Sequence, residues 1–326
     1  MAGHRMAGHW YRAYGLLLRS EIELPEFLAA RPGAGGSNRA HDLDIRLSDH
    51  ATAQWAASGA GESDAHRFFA APAGGFVMRV PGVVDFWVRE GRAIALGLMP
   101  GADLVSVRLF LLGSALGMAL HQRGLPVLHG ATVLHGRGAT IFVGESGQGK
   151  STLAASLGRS GHAILGDDTM PLWRAPRGGF EVWPGSRMFK LWADTIDVLG
   201  ETAEGLDSVG SRLDKYFFPN AEQPADRPSP LGEIIELVSA PEGAEPALEP
   251  LGGLEALRVI AANTYRPHYV SQLGRDSEHF RLCSELAGSI AVCRLSRPRD
   301  IRRIGESLAL IRARWAAPDQ TAGAAP

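Results

Sequence analysis

Along the first hundred residues, short apolar runs alternate with turn-rich stretches. Three of the runs, Asp44–Leu47, Phe76–Val80 and Val83–Val88, have the length and alternation of half-buried strands. Segments rich in Gly and Pro, beginning at Arg31 and Pro72, separate them. The pattern predicts a small β-rich N-terminal domain over residues 1–102. Asp103 to Gln122 is apolar on most faces and lacks proline, which predicts a buried helix ended by Gly124-Leu125-Pro126. From Val127 the order becomes strand, turn, strand, loop, helix, strand, carried by Ala131–Leu134, Thr140–Val143, Ser151–Arg159 and Ala163–Leu165. That order marks an α/β nucleotide-binding core. Glu233–Val238 and Ala291–Leu295 read as further buried strands, and Asp300–Trp315 as a closing amphipathic helix. Asn220–Pro230 reads as an exposed loop and Ala316–Pro326 as a frayed tail. The predicted class is therefore α/β, with a second domain over 103–326 that includes the joining helix.

Composition narrows the partners. Hydrophobic residues make up 45% and charged residues 21%, enough apolar material for a real core. The 33 Lys and Arg nearly balance 35 Asp and Glu, so no overall basic field favours nucleic acid or an anionic membrane. Cys283 and Cys293, the two cysteines, have neither zinc-site nor redox-pair spacing and read as free thiols. The N-terminus lacks the apolar segment of a secretory signal, which leads to the expectation of a cytoplasmic protein. The longest apolar stretch, Leu104 to Leu120, carries Arg108 and is expected to fall short of a comfortable membrane span.

The strongest chemical signal is Gly144-Glu145-Ser146-Gly147-Gln148-Gly149-Lys150-Ser151-Thr152, a full GxxxxGK[ST] P-loop between an apolar strand and a helix-compatible run. Its glycines let backbone N–H groups turn toward phosphates at the positive end of the following helix. Lys150 would reach the β- and γ-phosphates and the Ser151 hydroxyl would ligate Mg²⁺, so ATP and Mg²⁺ are the expected cofactors. Downstream, Ile164-Leu165-Gly166-Asp167-Asp168 is an apolar strand ending in two carboxylates. In a parallel sheet that end lies beside the loop. Adjacent strand residues face opposite ways, so one carboxylate can serve the metal and the other an attacking hydroxyl. In isolation, such a pair equally caps a turn. His129, in Leu128-His129-Gly130, is by sequence logic alone a hydrogen-bonded structural histidine.

The run from His129-Gly130 through Gly144–Ser151 to Gly161-His162-Ala163-Ile164-Leu165-Gly166-Asp167-Asp168 resembles the catalytic core of the HPr kinase/phosphorylase family. The resemblance implies a P-loop kinase core of that type. It implies His129 beside the phosphates, Lys150 and Ser151 on phosphate and metal, Asp167 activating a serine hydroxyl, and Asp168 near the metal. The family's arginine-bearing C-terminal signature is not found, so the resemblance does not extend to phosphorylase activity or to HPr as substrate. Tyr11-Arg12-Ala13-Tyr14-Gly15, Ser20-Glu21-Ile22-Glu23-Leu24-Pro25 and Asn263-Thr264-Tyr265-Arg266-Pro267 resemble HPr-kinase-like proteins of modified-peptide pathways, including lasso-peptide biosynthesis. Some of those phosphorylate a serine at the C-terminal end of a precursor peptide, which implies a peptide partner here.

A terminal serine brings a carboxylate that needs a cation. Arg187, Lys190, Arg212, Lys215 and Arg266 are candidates, and Arg266 is favoured because the resemblance includes it and Pro267 restricts its backbone. Two other readings stay open. A small-molecule kinase uses the same loop. A nucleotide-dependent switch or transport subunit would also, although NKxD and LSGGQ-like motifs are not found. A homo-oligomer is compatible with all three.

Overall fold

A computed structural model describes residues 8–32, 41–208, 215–219 and 226–317. Among these, the N-terminal part contributes β1 (His9–Ala13), β2 (Leu16–Ser20), β3 (Leu28–Ala29), β4 (Leu43–Leu47), β5 (Phe69–Ala70), β6 (Phe76–Val80), β7 (Val84–Arg89) and β8 (Ala93–Leu98). They form one sheet in the order β3-β1-β2-β4-β8-β7-β6-β5. Its inward side chains, among them Leu18, Leu43, Ile45, Phe86, Val88 and Ile94, pack against Val107, Leu111, Leu116, Met118 and Leu120 of the helix Leu104–Gln122. Asp103 caps that helix by accepting from the N–H groups of Val105 and Ser106.

By length and composition the helix could cross a membrane, with mean hydropathy 1.6 over 18 residues, so it is more apolar than the sequence expectation allowed. However, 61% of that window is buried inside the protein. One turn of it, Leu111–Ala115, is a π-helix. Here the helix meets Tyr265: a Cβ on Gly117 would lie 2.7 Å from the Tyr265 ring.

The rest of the chain supplies β9 (Val127–His135), β10 (Gly138–Val143), β11 (Ile164–Arg174), β12 (Phe180–Val182), β13 (Met188–Trp192), β14 (Lys215–Pro219), β15 (Ser229–Ser239), β16 (Ala247–Leu251) and β17 (Ala291–Arg297). The second sheet has the order β10-β9-β11-β12-β15-β17-β16, with β10 also pairing β15. Strands β10, β15 and β17 are mutually parallel and covered on both faces, so they read as nearly continuous apolar runs. On one face Phe142, Ile235, Leu237 and Leu295 meet Leu153 and Leu157 of the helix Lys150–Arg159 and Ile311 of the closing helix Ile304–Ala316. On the other, Ile141, Val143, Ile234 and Val292 meet Val259, Ile260, Cys283 and Leu286 from the helices Gly253–Ala262 and Asp276–Ser289. Each fully buried Leu, Ile or Phe contributes about 1.5–3 kcal/mol. Both cysteines are free and buried.

Three details differ from the sequence reading. Strand β11 is not the parallel neighbour of β10: β9 lies between them and is antiparallel to both. It also does not end at the carboxylates but runs on to Arg174, because its second half pairs with β12. Finally, Ser229 and Pro230, expected in a loop, open β15. Positions 220–225 of that loop and 318–326 of the tail lie outside the described residues.

The two sheets meet at the β1–β2 turn, where Tyr14 and Gly15 both have positive φ (58° and 76°). Tyr14 N–H donates to the Pro184 carbonyl at 2.6 Å, and Trp173 Nε1 donates to the Tyr14 carbonyl at 2.9 Å. Ring and backbone are closely fitted: a Cβ on Gly185 would lie 2.2 Å from Tyr14, and one on Gly15 would lie 2.9 Å from Trp183.

Candidate functional site

The loop between β10 and the helix Lys150–Arg159 turns on its glycines. Gly144 has φ 135°, and a Cβ there would lie 2.6 Å from the Leu237 carbonyl oxygen. Gly149 has φ 82° and faces the Arg297 guanidinium, with only 2.4 Å from a built Cβ to Nη2. The loop is held at both ends. Gly144 N–H donates to Asn263 Oδ1 at 2.7 Å, and the Asn263 carbonyl accepts from His129 N–H at 2.8 Å. At the other end Arg297 Nη2 donates to the Gln148 carbonyl and Ser239 Oγ donates to Gln148 Oε1, each at 2.8 Å. Glu145, Ser146 and Gly147 form the exposed tip.

Lys150 is 7% exposed, and its ammonium donates to the Gly144 and Glu145 carbonyls at 2.7 and 3.1 Å. Ser151 Oγ donates to Asp167 Oδ1 at 2.8 Å, and Thr152 Oγ1 lies 3.2 Å from Thr195 Oγ1. The carboxylate touching the loop serine is therefore Asp167. Asp168 lies instead against the Lys190 ammonium, with Nζ at 2.7 Å, and the His129 ring, with Nδ1 at 3.1 Å. His129 Nδ1 is also 3.0 Å from the Asp168 carbonyl. Asp168 has φ 77°, a conformation uncommon for a non-glycine residue. This departure from strand geometry removes the strict alternation of faces, and both carboxylates line one cavity.

Their protonation preferences diverge. Burial, then the charge of Asp168, pushes the Asp167 carboxyl up, against the hydrogen bond from Ser151. Burial also works to raise Asp168, but Lys190 and His129 outweigh it and hold that carboxyl well below the usual range. Lys190 is pushed up: burial opposes its charge, and Asp168 more than compensates.

The cavity, of about 660 Å³, is lined by the loop with Thr195, Arg297 and Ile301, and also by His129, Lys190, Tyr265, Arg266 and the π-turn residues Gly113 and Ser114. Arg266 also has a left-handed backbone, φ 47°, and its guanidinium lies 5.6 and 5.9 Å from the Tyr265 and Tyr269 ring centroids. It makes no ion pair among the described residues. Of the other candidate cations, Arg187 is outside the lining, and Arg212 and the Lys215 side chain lie outside the described residues. Sequence reasoning missed Asn263 as the clamp of the loop, Tyr265 as a wall and Arg297 beneath Gly149. Asn263 and Tyr265 stood in the run Asn263–Pro267 already singled out by resemblance, without a role assigned to either. Arg297 had a general signal, since it ends a strand parallel to β10 and β15, and such carboxyl ends converge on ligand sites.

A triphosphate with a divalent cation fits these residues. The loop offers backbone N–H groups and a buried ammonium, and one hydroxyl and one carboxylate stand together at Ser151 and Asp167. Among the described residues no cluster of three His, Cys, Asp or Glu side chains could hold a metal by itself. That sparse set suits Mg²⁺, which keeps several waters and takes further oxygens from phosphates.

No protein-family model matches the chain, and no curated protein matches it. Among solved structures, the HPr(Ser) kinase/phosphatase from Coxiella burnetii is similar at 13% identity, over 57% of this chain and 95% of that one, with a TM-score of 0.28. At that score the likeness carries no weight for function, which rests on the residues themselves.

Proposed function

We infer that this chain is a P-loop phosphotransferase of the HPr-kinase-like type. It transfers the γ-phosphate of ATP to a serine hydroxyl of a precursor peptide, with the C-terminal serine of a lasso-peptide precursor as the favoured acceptor. The supporting observation is that Lys150 and Ser151 share one cavity with Asp167, Asp168 and Arg266. Bound Mg²⁺–ATP supplies the phosphoryl group and neutralises part of its charge. The N–H groups of Gly147 to Ser151 and the Lys150 ammonium hold the phosphates in place. Ser151 Oγ, hydrogen-bonded to Asp167, would be the hydroxyl that holds the metal.

Asp167 accepts the proton of the acceptor hydroxyl, and burial, which pushes its carboxyl up, makes it a stronger base than an exposed aspartate. The sequence reading assigned Asp168 to the metal. Its contacts support a different task, holding His129 and Lys190 against the transferring group. Arg266 receives the terminal carboxylate of the acceptor. A flexible peptide tail reaches such a recessed site without needing a matched folded surface.

The test is mass spectrometry of short serine-ended peptides encoded beside this gene, incubated with the protein, ATP and Mg²⁺, with Lys150→Ala as control. One added phosphate on a serine, absent in the control, is the expected result. Nucleotide turnover without peptide modification, followed by phosphorylation of a small alcohol, would replace the peptide with a small-molecule acceptor.

A further inference from the structure

Arg297 has an unusual environment for a buried cation. It is the last residue of β17 and 7% exposed, and it lies under the loop that the proposed function assigns to phosphate. One guanidinium nitrogen, Nη2, donates to the Gln148 carbonyl. Its Nε is buried without a hydrogen-bond partner among the described residues. No carboxylate pairs with Arg297 there, and burial alone pushes its pKa down, with no neighbouring charge working in the opposite direction. Other arginines on this side of the fold are matched: Arg294 of the same strand pairs with Glu236, and Arg314 of the closing helix with Glu233. Taking a guanidinium out of water without a counter-charge is costly, and structures keep such an arrangement where an anion completes it.

We propose that Arg297 is a second cation of the donor site, gripping the phosphate chain of a nucleoside triphosphate where it passes Gly149. The inference rests on the donor reading of the loop. It deepens that reading by adding a contact from the carboxyl end of β17, far from the loop in sequence. The placement is specific. The guanidinium abuts the Cα of Gly149, lines the same cavity as Lys150 and Ser151, and is fixed by the loop's own carbonyl. The fork of Arg suits bridging a main-chain oxygen and a phosphate oxygen at once, which the single ammonium of a lysine does less well. The neighbouring Arg299 donates through Nε to Ser239 Oγ, which in turn holds the Gln148 side chain. The tip of the loop is thereby tied to the strand end that carries Arg297.

The experiment is calorimetric titration of Mg²⁺–ATP into the full-length wild-type protein, Lys150→Ala, Arg297→Met and Arg297→Lys, alongside the melting temperature of each without nucleotide. Arg297→Met should bind Mg²⁺–ATP roughly tenfold to a hundredfold more weakly, the span expected for a lost hydrogen bond to a charged group. Arg297→Lys should fall between it and wild type. The ligand-free Arg297→Met protein should melt at or above the wild-type temperature, because an unpaired buried charge has been removed. Wild-type affinity in a folded Arg297→Met or Arg297→Lys protein would overturn the proposal and leave Arg297 a strap on the Gln148 carbonyl. Absence of Mg²⁺–ATP binding by the wild type would overturn the donor reading itself, and this inference with it.

Discussion

The two sets of cavity residues proposed for donor and acceptor, its two walls, are built in different ways. The proposed donor wall is mainly one contiguous stretch, Gly144 to Thr152, shaped by glycine backbone and the start of a helix and braced from a distance by Asn263 and Arg297. The acceptor wall is assembled from His129, Asp168, Lys190, the Tyr265-Arg266 pair and the π-turn of the helix Leu104–Gln122, which are scattered along the chain. Contiguous chemistry tolerates drift in the rest of the fold, whereas an assembled wall depends on tertiary packing for every contact. Phosphate recognition should therefore survive most changes outside the loop other than at its braces Asn263 and Arg297, and acceptor recognition should not.

Substitutions can break this contrast at graded strengths. The largest effect falls on the donor wall. Lys150→Ala should lower phosphoryl transfer by roughly 10²- to 10³-fold or more, as expected for removing one preorganised charge aimed at the transferring group. Radiolabelled transfer at saturating acceptor measures it.

The carboxylate pair comes next and should split activity from stability. Asp167→Asn should cost about 10²-fold in kcat, the lower end of what a positioned base contributes, with Mg²⁺–ATP affinity retained. Its folded-state pKa lies above the unfolded value, so stability from this group falls as pH rises through that interval. Asp167→Asn removes a carboxyl whose ionised form burial disfavours, so on the alkaline side of that interval the Asn variant should melt no lower than wild type. For Asp168 the sign is reversed. Its folded pKa is depressed, so its stabilisation is present above the unfolded pKa and lost as pH falls through the folded one. Asp168→Asn leaves the Lys190 ammonium without its counter-charge and should destabilise by roughly 1–3 kcal/mol, between exposed and buried pairs. Urea titrations at neutral and acid pH read both signs. Equal melting shifts for the two variants would show that the carboxylates do not differ as described.

The smallest effect sharpens the acceptor wall. Arg266→Met should raise the KM for a serine-ended peptide about tenfold or more and leave Mg²⁺–ATP affinity unchanged, since charge-assisted contacts contribute about 1.5–3 kcal/mol. The same variant should discriminate less against a peptide whose terminal carboxylate is amidated. Loss of nucleotide affinity instead would move Arg266 to the donor side.

These differences also govern how much the sequence could reveal. The loop, its strand and its helix were legible because glycine spacing and apolar periodicity are local signals. Both long strands of the core, Ser229–Ser239 and Ala291–Arg297, were anticipated in part for the same reason. Strand β9 was anticipated at Ala131–Leu134, but its place between β10 and β11 and its antiparallel direction were not, because an apolar run does not report the direction or identity of its partners. Asp167 and Asp168 were visible as a pair, but their separate tasks depend on a left-handed backbone at Asp168 and on Lys190, which arrives from another strand. Asn263 and Arg297 act through contacts with residues more than a hundred positions away and left no mark that periodicity could detect.

The turn at Tyr14 and Gly15 fits between Trp183 and Gly185 like a key with no spare clearance, since each glycine sits against the other segment's ring. These positions form a coupled unit across the two sheets. A larger residue at Gly185 should be tolerated only with a smaller one at Tyr14, and a double-mutant cycle on the pair should be strongly non-additive. For protein engineering, exchanging the N-terminal sheet among relatives means exchanging the matching 183–185 segment with it.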